Sequence, residues 1–439
     1  MDAVKNNISE KDLLNYYVTE LKENILPFWE RNCIDKENGG YFNCFSNDGK
    51  QLLSHDKFTW SQGRFVWIWS KLSMLKSDIF SKEQREKYLS FAANGIDFLR
   101  KYALMGPDDW RCVFLNDEHG NHKYPSGQTV LNGSIYADCF VIIAFAKYAL
   151  AANDQTCYEF AIKLYRSCLT QLEEKNFFTL PYPLSAQYKA HGIPMIFDDV
   201  TKELFRTAKV LCPQDTEWLK AMLEKFSSEV LNCFVDENNC LREVVSADNS
   251  FLTNVLGEHM NPGHTLEDMW FTIDAADILG KPEWVEIAGR LALNALNLGW
   301  DKEYGGILHF CGLTGGKPEG SRQGVEQETM LRQVDDGWGD KLWWVHTEAL
   351  YITLLLYYRL QRDEFLEWHL RILSYVQKHF PNPDREVGEW IQILDRKGAP
   401  QQKVVALPVK DPYHIIRNFA LIIELLTAQI SQKEIENGK

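Results

Sequence analysis

The sequence predicts an all-α fold, an (α/α)6 barrel, and three observations carry that prediction. A short turn motif recurs six times along the chain. The turns lie roughly 60 to 85 residues apart, a period that suits two helices plus connections rather than a strand-based unit. Between the turns, apolar helices rich in aromatic residues alternate with more amphipathic ones.

The turn motif is clearest at Asp35-Lys-Glu-Asn-Gly-Gly-Tyr41, which returns closely as Asp301-Lys-Glu-Tyr-Gly-Gly-Ile307. Looser copies sit at Pro107–Trp110, Glu174–Phe177, Asp236–Asn239 and Asp384–Gly388. After each turn comes a stretch of extended or loop character and then an apolar helix, expected to start near Trp60, Ile135, Tyr188, His264, Trp343 and His414. The helices between show charged faces, as in Glu83-Gln84-Arg85-Glu86-Lys87 and around Glu367. Six buried and six half-exposed helices suggest concentric rings, with the inner N-terminal ends at one mouth. An open α-solenoid uses the same hairpins; irregular spacing and aromatic loading favour closure. No break in composition divides the 439 residues, so residues 1–439 are read as one catalytic domain.

A hydrophobic content of 45% and a charged content of 25% suit a large core with a charged surface. The formal net charge of -14 argues against nucleic acid or an anionic membrane as partner, because both require clustered Lys and Arg. Met1 to Lys22 is polar and of mixed charge, unlike a signal peptide. The best apolar run, Cys139 to Ala152, is interrupted by Lys147 and reads as too short to span a bilayer. Ten cysteines occur without a Cys-x-x-Cys pair, which reads as reduced, mostly buried thiols in a cytoplasmic protein.

Three helix starts, Asn261–Glu267, Lys341–Glu348 and Asp411–His414, carry residues suited to moving protons, and the first inner helix sets an arginine among tryptophans. Trp60, Arg64 and Trp67 share one face of the first inner helix. Arg64 is either a structural arginine paired with a buried carboxylate or a fixed cation facing an oxyanion, walled by aromatic rings on which a sugar stacks. His264 and Glu267 share a face one turn from a start defined by Pro262 and Gly263. There the helix N-terminus disfavours imidazolium, and Glu267 either fixes the tautomer or opposes that shift. His414, behind Asp411 and Pro412, repeats the arrangement. Two helix-start histidines facing one cavity point to two-base proton transfer. On the fifth inner helix Trp344 and Glu348 share a face, with His346 as either a packing or a direct participant. There is no His-Glu-x-x-His motif and no Walker loop, so neither metal nor nucleotide phosphate chemistry is expected.

These residues reach a family. Asn261-Pro-Gly-His264-Thr-Leu-Glu267-x-x-Trp270-Phe271, Lys341-Leu-Trp343-Trp344-x-His346-x-Glu348-Ala349, Trp60-x-Gln62-Gly63-Arg64-x-Val66-Trp67 and Gly388-Glu389-Trp390 resemble the N-acylglucosamine 2-epimerases, also called renin-binding proteins. The wider group includes cellobiose 2-epimerase and mannose isomerase. The resemblance implies interconversion of N-acetyl-D-glucosamine and N-acetyl-D-mannosamine on an (α/α)6 barrel. It implies His264 and His414 as the acid/base pair, Arg64 as the enolate stabiliser, and Glu267 and Glu348 as orienting or ring-opening carboxylates. Trp270, Trp343 and Trp344 would contribute to the sugar pocket, and Trp60, Trp67 and His346 complete the substrate-binding candidates. The stretch Gln187-Tyr-Lys-Ala-His191-Gly-Ile-Pro194-Met195 departs from the disaccharide epimerases and is closer to the N-acylglucosamine type. No metal or required cofactor is implied; nucleotide (ATP) activation and a homodimer are compatible with it. The alternatives are an aldose–ketose isomerase or 2-epimerase acting on mannose or glucose, a glycoside hydrolase using Glu267 and Glu348, and a non-catalytic binding protein.

Overall fold

The computed structural model describes residues 9–436 and 438; the first eight residues of the polar Met1–Lys22 segment lie outside them. Helix α1 (Glu10–Thr19) runs through a π-helical segment (Glu20–Ile25) into α2 (Leu26–Asn32). There follow α3 (Thr59–Ser73), α4 (Lys82–Tyr102), α5 (Ile135–Ala152), α6 (Gln155–Glu173), α7 (Gly192–Leu211) and α8 (Thr216–Cys233). The second half holds α9 (Pro262–Leu279), α10 (Glu283–Gly299), α11 (Thr329–Gly337), α12 (Trp343–Leu360), α13 (Asp363–His379) and α14 (Tyr413–Glu436).

Helices α3, α5, α7, α9, α12 and α14 pack in succession, and α14 packs back onto α3. That return contact closes the ring and separates the barrel from a solenoid. The inner helices are apolar nearly all round because they have neighbours on every side: α5 buries thirteen side chains from Ile135 to Ala149. The outer helices α4, α6, α8, α10 and α13 bury one stripe each; α13 buries Phe365, Trp368, His369, Ile372 and Val376, at i, i+3, i+4, i+7 and i+11. The α1–α2 segment backs α14 and completes the outer ring.

The recurring turn has a physical basis. In both close copies the aspartate side chain accepts backbone N–H groups of the turn that follows, from Glu37 and Asn38 to Asp35 and from Glu303 and Tyr304 to Asp301. The paired glycines take positive φ, 78° and 75° at Gly39 and Gly40 and 73° at both Gly305 and Gly306. A buried lysine just ahead of an inner helix then joins turn to barrel: Lys57 Nζ reaches Asp35 at 2.7 Å, and Lys341 Nζ reaches Asp301 at 3.1 Å.

The expected extended stretches are short antiparallel ladders at the mouth. Lys57–Phe58 pairs with Leu115–Asn116, Tyr188–Ala190 with Val244–Ser246, His259–Met260 with Cys311–Gly312, and Lys341–Leu342 with Ile393–Leu394. The third inner helix therefore starts at Gly192 and not near Tyr188, because the backbone there hydrogen-bonds to the 244–246 strand.

Two further expectations are adjusted. The apolar run is a full helix, Ile135–Ala152, of 18 residues and mean hydropathy 1.7, long enough to cross a bilayer. It is the second inner helix, largely buried, and Lys147 ends in an ion pair with Glu203 at 2.5 Å. Helix α11 adds a small satellite core of Val255, Phe310, Val325, Leu331 and Val334 beside the mouth, unannounced by the repeat. All ten cysteines are free thiols, nine of them buried.

Candidate active site

The first two turns of all six inner helices line one cavity, which contains Trp60, Arg64, Tyr136, Phe140, Met195, His264, Glu267, Trp344, Tyr413 and His414. The segment ahead of α14 adds Val405, Ala406, Leu407 and Val409 to the lining.

His264 enters from α9. The side chain of Asn261 caps this helix by accepting the His264 N–H at 3.2 Å, and Pro262 occupies a position where no backbone donor is needed. The imidazole Nδ1 lies 2.9 Å from Glu243 Oε2. Glu243, from the loop ahead of the 244–246 strand, also lies 3.7 Å from His191 Nδ1 through its other oxygen. His191 Nε2 in turn lies 2.6 Å from Asp268 Oδ2. A four-membered chain, Asp268–His191–Glu243–His264, therefore stands behind one wall of the cavity. Burial opposes the charge on Glu243, but the adjacent imidazoles of His264 and His191 outweigh it and hold the carboxyl well below its usual range. Burial likewise opposes charge on His191, and the two carboxylates overcome it and raise its pKa to about 9.

His414 enters from α14, where Asp411 Oδ1 caps the first turn by accepting the Tyr413 N–H at 2.7 Å. Its Nδ1 lies 2.7 Å from Glu348 Oε1. That carboxylate also accepts from Arg417 at 2.5 Å, Asn418 at 2.7 Å and, on Oε2, the Trp270 indole at 2.8 Å. Arg417 bridges Glu348 to Glu267. Burial pushes the His414 pKa down to about 3; Glu267 opposes this, while the cations Arg64 and Arg417 add to it. The ring is neutral in the resting site.

Arg64 is ion-paired and walled by aromatic rings. Its Nη1 pairs with Asp411 Oδ2 at 2.5 Å, and its guanidinium lies over Phe140, Tyr413 and Trp60 at 4.3, 4.9 and 5.1 Å from the ring centroids. It is a paired cation that still borders the cavity. Trp344 packs against both histidines, 5.3 Å from the His264 ring and 5.4 Å from the His414 ring.

Several candidates stand elsewhere. Glu267 lines the cavity but does not hold His264; it binds Arg417 and sits 3.7 Å from His414, because Glu243 already occupies His264 Nδ1. Trp67 is buried beneath the site and donates to Glu203 at 3.1 Å. Trp270 lies behind Glu348 as its indole donor, and Glu348 is itself sealed from the cavity by its four partners. His346 is a packing residue: its Nδ1 donates to Leu342 O at 2.7 Å and its Nε2 accepts the Ile307 N–H at 2.9 Å. Trp60, Trp343 and Trp344 do form the wall.

Arg417, Glu243 and Asp268 carry much of the electrostatics and were not singled out from sequence. Arg417 left one trace, a cation three residues after His414 in the mostly apolar first half of its helix. Glu243 left none, since its partner is brought to it by the fold.

Among the described residues two clusters hold side chains that could ligate a metal, His191 with Glu243 and His264, and Glu267 with Glu348 and His414; within each, the ligand atoms lie within 4.8 Å of one another. In the second, Arg417 already occupies the cation position between the carboxylates.

The buried histidines set a pH dependence of stability. His309, His346 and His414 are held near a pKa of about 3 and His369 near about 4, each chiefly by burial, against 6.5 for the free side chain. Between those values the unfolded chain binds protons that the folded chain refuses, so stability falls as pH drops below 6.5 toward 4. His191 acts oppositely, its contribution being present below pH 6.5 and lost as pH rises through about 9. Asp138 and Asp198, raised by burial to about 7 and about 8, bind protons in the folded chain over the same range and offset part of this loss. With four histidines against two carboxyls, melting temperature should still fall from pH 6.5 to 4, and a rise there would contradict these assignments.

The sequence profile of the N-acylglucosamine 2-epimerase (GlcNAc 2-epimerase) family matches residues 40–418. The chain is 26% identical over 415 residues to the N-acylglucosamine 2-epimerase of Mus musculus, covering 94% of this chain and 91% of that protein. Its fold is similar to that of cellobiose 2-epimerase from Bacillus thermoamylovorans B4167, with TM-score 0.74 at 20% identity over 94% of this chain and 100% of the other. A D-mannose isomerase structure has TM-score 0.71 at 18% identity, over 94% and 98% of the two chains. With the closed helical ring and a profile match running from the first turn motif to Asn418, the chain belongs to the N-acylglucosamine 2-epimerase family and is a sugar epimerase.

Proposed function

We propose that the protein interconverts N-acetyl-D-glucosamine and N-acetyl-D-mannosamine by moving a proton at C2 with two histidines. One observation carries this reading. His264 and His414 border the same cavity and the same indole, and each has its Nδ1 tied to a carboxylate, leaving Nε2 without a protein partner among the described residues. One histidine removes the C2 proton of the open-chain sugar, and the electron pair moves into the C1 carbonyl to form an enolate. Arg64 stabilises the oxyanion, and the other histidine delivers its proton to the opposite face of C2. Neutral His414 is ready to accept a proton, and Glu348 and Glu267 beside it stabilise the imidazolium that forms. Glu267, on the cavity wall, assists ring opening.

The N-acyl substrate class is supported by the relatives bearing that name and by the apolar wall of Phe140, Met195 and Ile196, which suits an acyl methyl. A hydrolase built on Glu267 and Glu348 would need both carboxylates to flank a glycosidic bond, and Glu348 is sealed behind His414 and Arg417. On this reading residues 1–439 form one catalytic domain in a reducing, cytoplasmic setting, where free thiols persist. It needs neither metal nor nicotinamide, because the enolate is stabilised by Arg64.

Proton NMR of EDTA-treated, dialysed protein with N-acetylglucosamine in D2O tests the proposal. The mannosamine epimer should appear carrying deuterium at C2, with ATP as the only additive that changes the rate. Conversion of mannose to fructose or glucose, with both N-acyl sugars left untouched, would establish the isomerase alternative. Activity restored only by a divalent metal would overturn the mechanism.

Replacing Arg64 by Lys keeps the charge but loses the planar fork that spans Asp411 and the cavity. We expect kcat to fall by about 10²- to 10³-fold, with a smaller change in KM. A lowered melting temperature with near-normal kcat would confine Arg64 to the ion pair with Asp411.

A further inference from the structure

We propose that His191 serves as a buried cation of the active site, acting through Glu243 to set the proton affinity of His264. The inference rests on the two-histidine reading and adds a positioning residue to it.

His191 is fully buried and presents one ring nitrogen to each of two carboxylates, Nε2 to Asp268 at 2.6 Å and Nδ1 to Glu243 at 3.7 Å. A neutral imidazole has one N–H and would turn a lone pair toward one of them. An imidazolium offers a donor to both. His191 Nδ1 and Glu243 Oε1 are buried and have no other hydrogen-bond partner among the described residues, so they are left facing each other. The raised pKa of His191 agrees with this charge state.

The two walls of the cavity then match. Behind His264 stand Glu243, His191 and Asp268; behind His414 stand Glu348, Arg417 and Glu267. Each set is two anions and one cation, a formal charge of -1. A reversible exchange between the faces of one carbon needs comparable electrostatics behind both bases, and this construction supplies it with a fixed cation on one side and a titratable one on the other.

Other charged groups facing the chain do not substitute for His191. His259, ahead of α9, and His309, from the segment after α10, are both held below the ordinary imidazole range, chiefly by burial. The Tyr136 hydroxyl of α5 sits beside Gly192, and burial raises its pKa far above neutrality. Asp199 of α7 is paired with Lys202 at 3.0 Å, and its neighbour Asp198, beside Asp268, is raised by burial to about 8 and so adds no anion at neutral pH.

The test compares kcat/KM against pH for His191→Asn and Asp268→Asn in both reaction directions. Removing the His191 cation takes the set behind His264 from -1 to -2. The pKa governing the direction in which His264 is the base should rise by about one unit. Asp268→Asn removes an anion, so that pKa should stay or fall. Profiles that superimpose on wild type apart from amplitude, or equal upward shifts in both variants, would make His191 merely structural and overturn the inference. Should His191→Asn fail to fold, neutron diffraction of the wild-type protein at neutral pD decides the matter: deuterium on both ring nitrogens of His191 supports the proposal, and a single deuterium overturns it. Neutron diffraction requires no substrate, so a protein inert on both N-acyl sugars would sink the functional reading without obscuring the charge of His191.

Discussion

His264→Ala and His414→Ala should each reduce net epimerisation by about 10³-fold or more while the barrel remains folded. Side-chain acid or base catalysis contributes about 10²- to 10⁴-fold, and inversion at C2 needs both groups, so neither can cover for the other. Folding should survive because the groups left behind keep partners. Glu243 retains His191, and Glu348 retains Arg417, Asn418 and Trp270. The remaining histidine still removes and returns a proton on its own face. Each variant should therefore exchange C2 hydrogen for deuterium in one epimer only, and the two variants in opposite epimers. Net conversion within tenfold of wild type in either variant, or exchange of the same epimer by both, would refute the assignment.

Glu348→Ala should damage stability and activity together. The carboxylate is fully buried and receives four side-chain donors, from His414, Arg417, Asn418 and Trp270. Removing it leaves Glu267 as the remaining ion-pair partner of Arg417, beside the Tyr413 hydroxyl, and the loss should cost up to about 3 kcal/mol, the lower end for breaking a buried ion pair. His414 at the same time loses the acceptor that fixes its tautomer, so kcat should fall by at least about 10²-fold. Glu348→Gln separates the two effects. It preserves shape and should recover part of the melting temperature, but without the anion that stabilises the His414 imidazolium it should recover little of kcat. An alanine variant that melts within a degree of wild type and keeps kcat within threefold would show that Glu348 is no hub.

The inner helices and five of their six beginnings were legible because their causes are local. The Asn261-Pro262-Gly263 and Asp411-Pro412 starts each place a cap and a fixed φ beside an apolar run, while the aromatic stripe from Trp60 marks its helix by spacing alone, behind an uncapped Phe58. The two close copies of the turn motif were legible for the same reason, since the aspartate and the N–H groups it binds lie two or three residues apart.

Partner choice was not legible. Glu267 sits three residues from His264, close enough to pair, yet its carboxylate goes to Arg417, 150 residues away, while His264 takes Glu243, 21 residues before it. His346 lies between two site residues in sequence but turns outward to cap the Ile307 N–H. The chain by itself determined the ring of hairpins, the family and the two histidines with Arg64 at one mouth, because periodicity, caps and motif spacing act over a few residues. Only the tertiary structure decided which carboxylate serves which histidine and which tryptophans reach the cavity. Burial makes an unpaired charge costly, so each ionic side chain takes the partner that the closed barrel presents, whatever its distance along the chain.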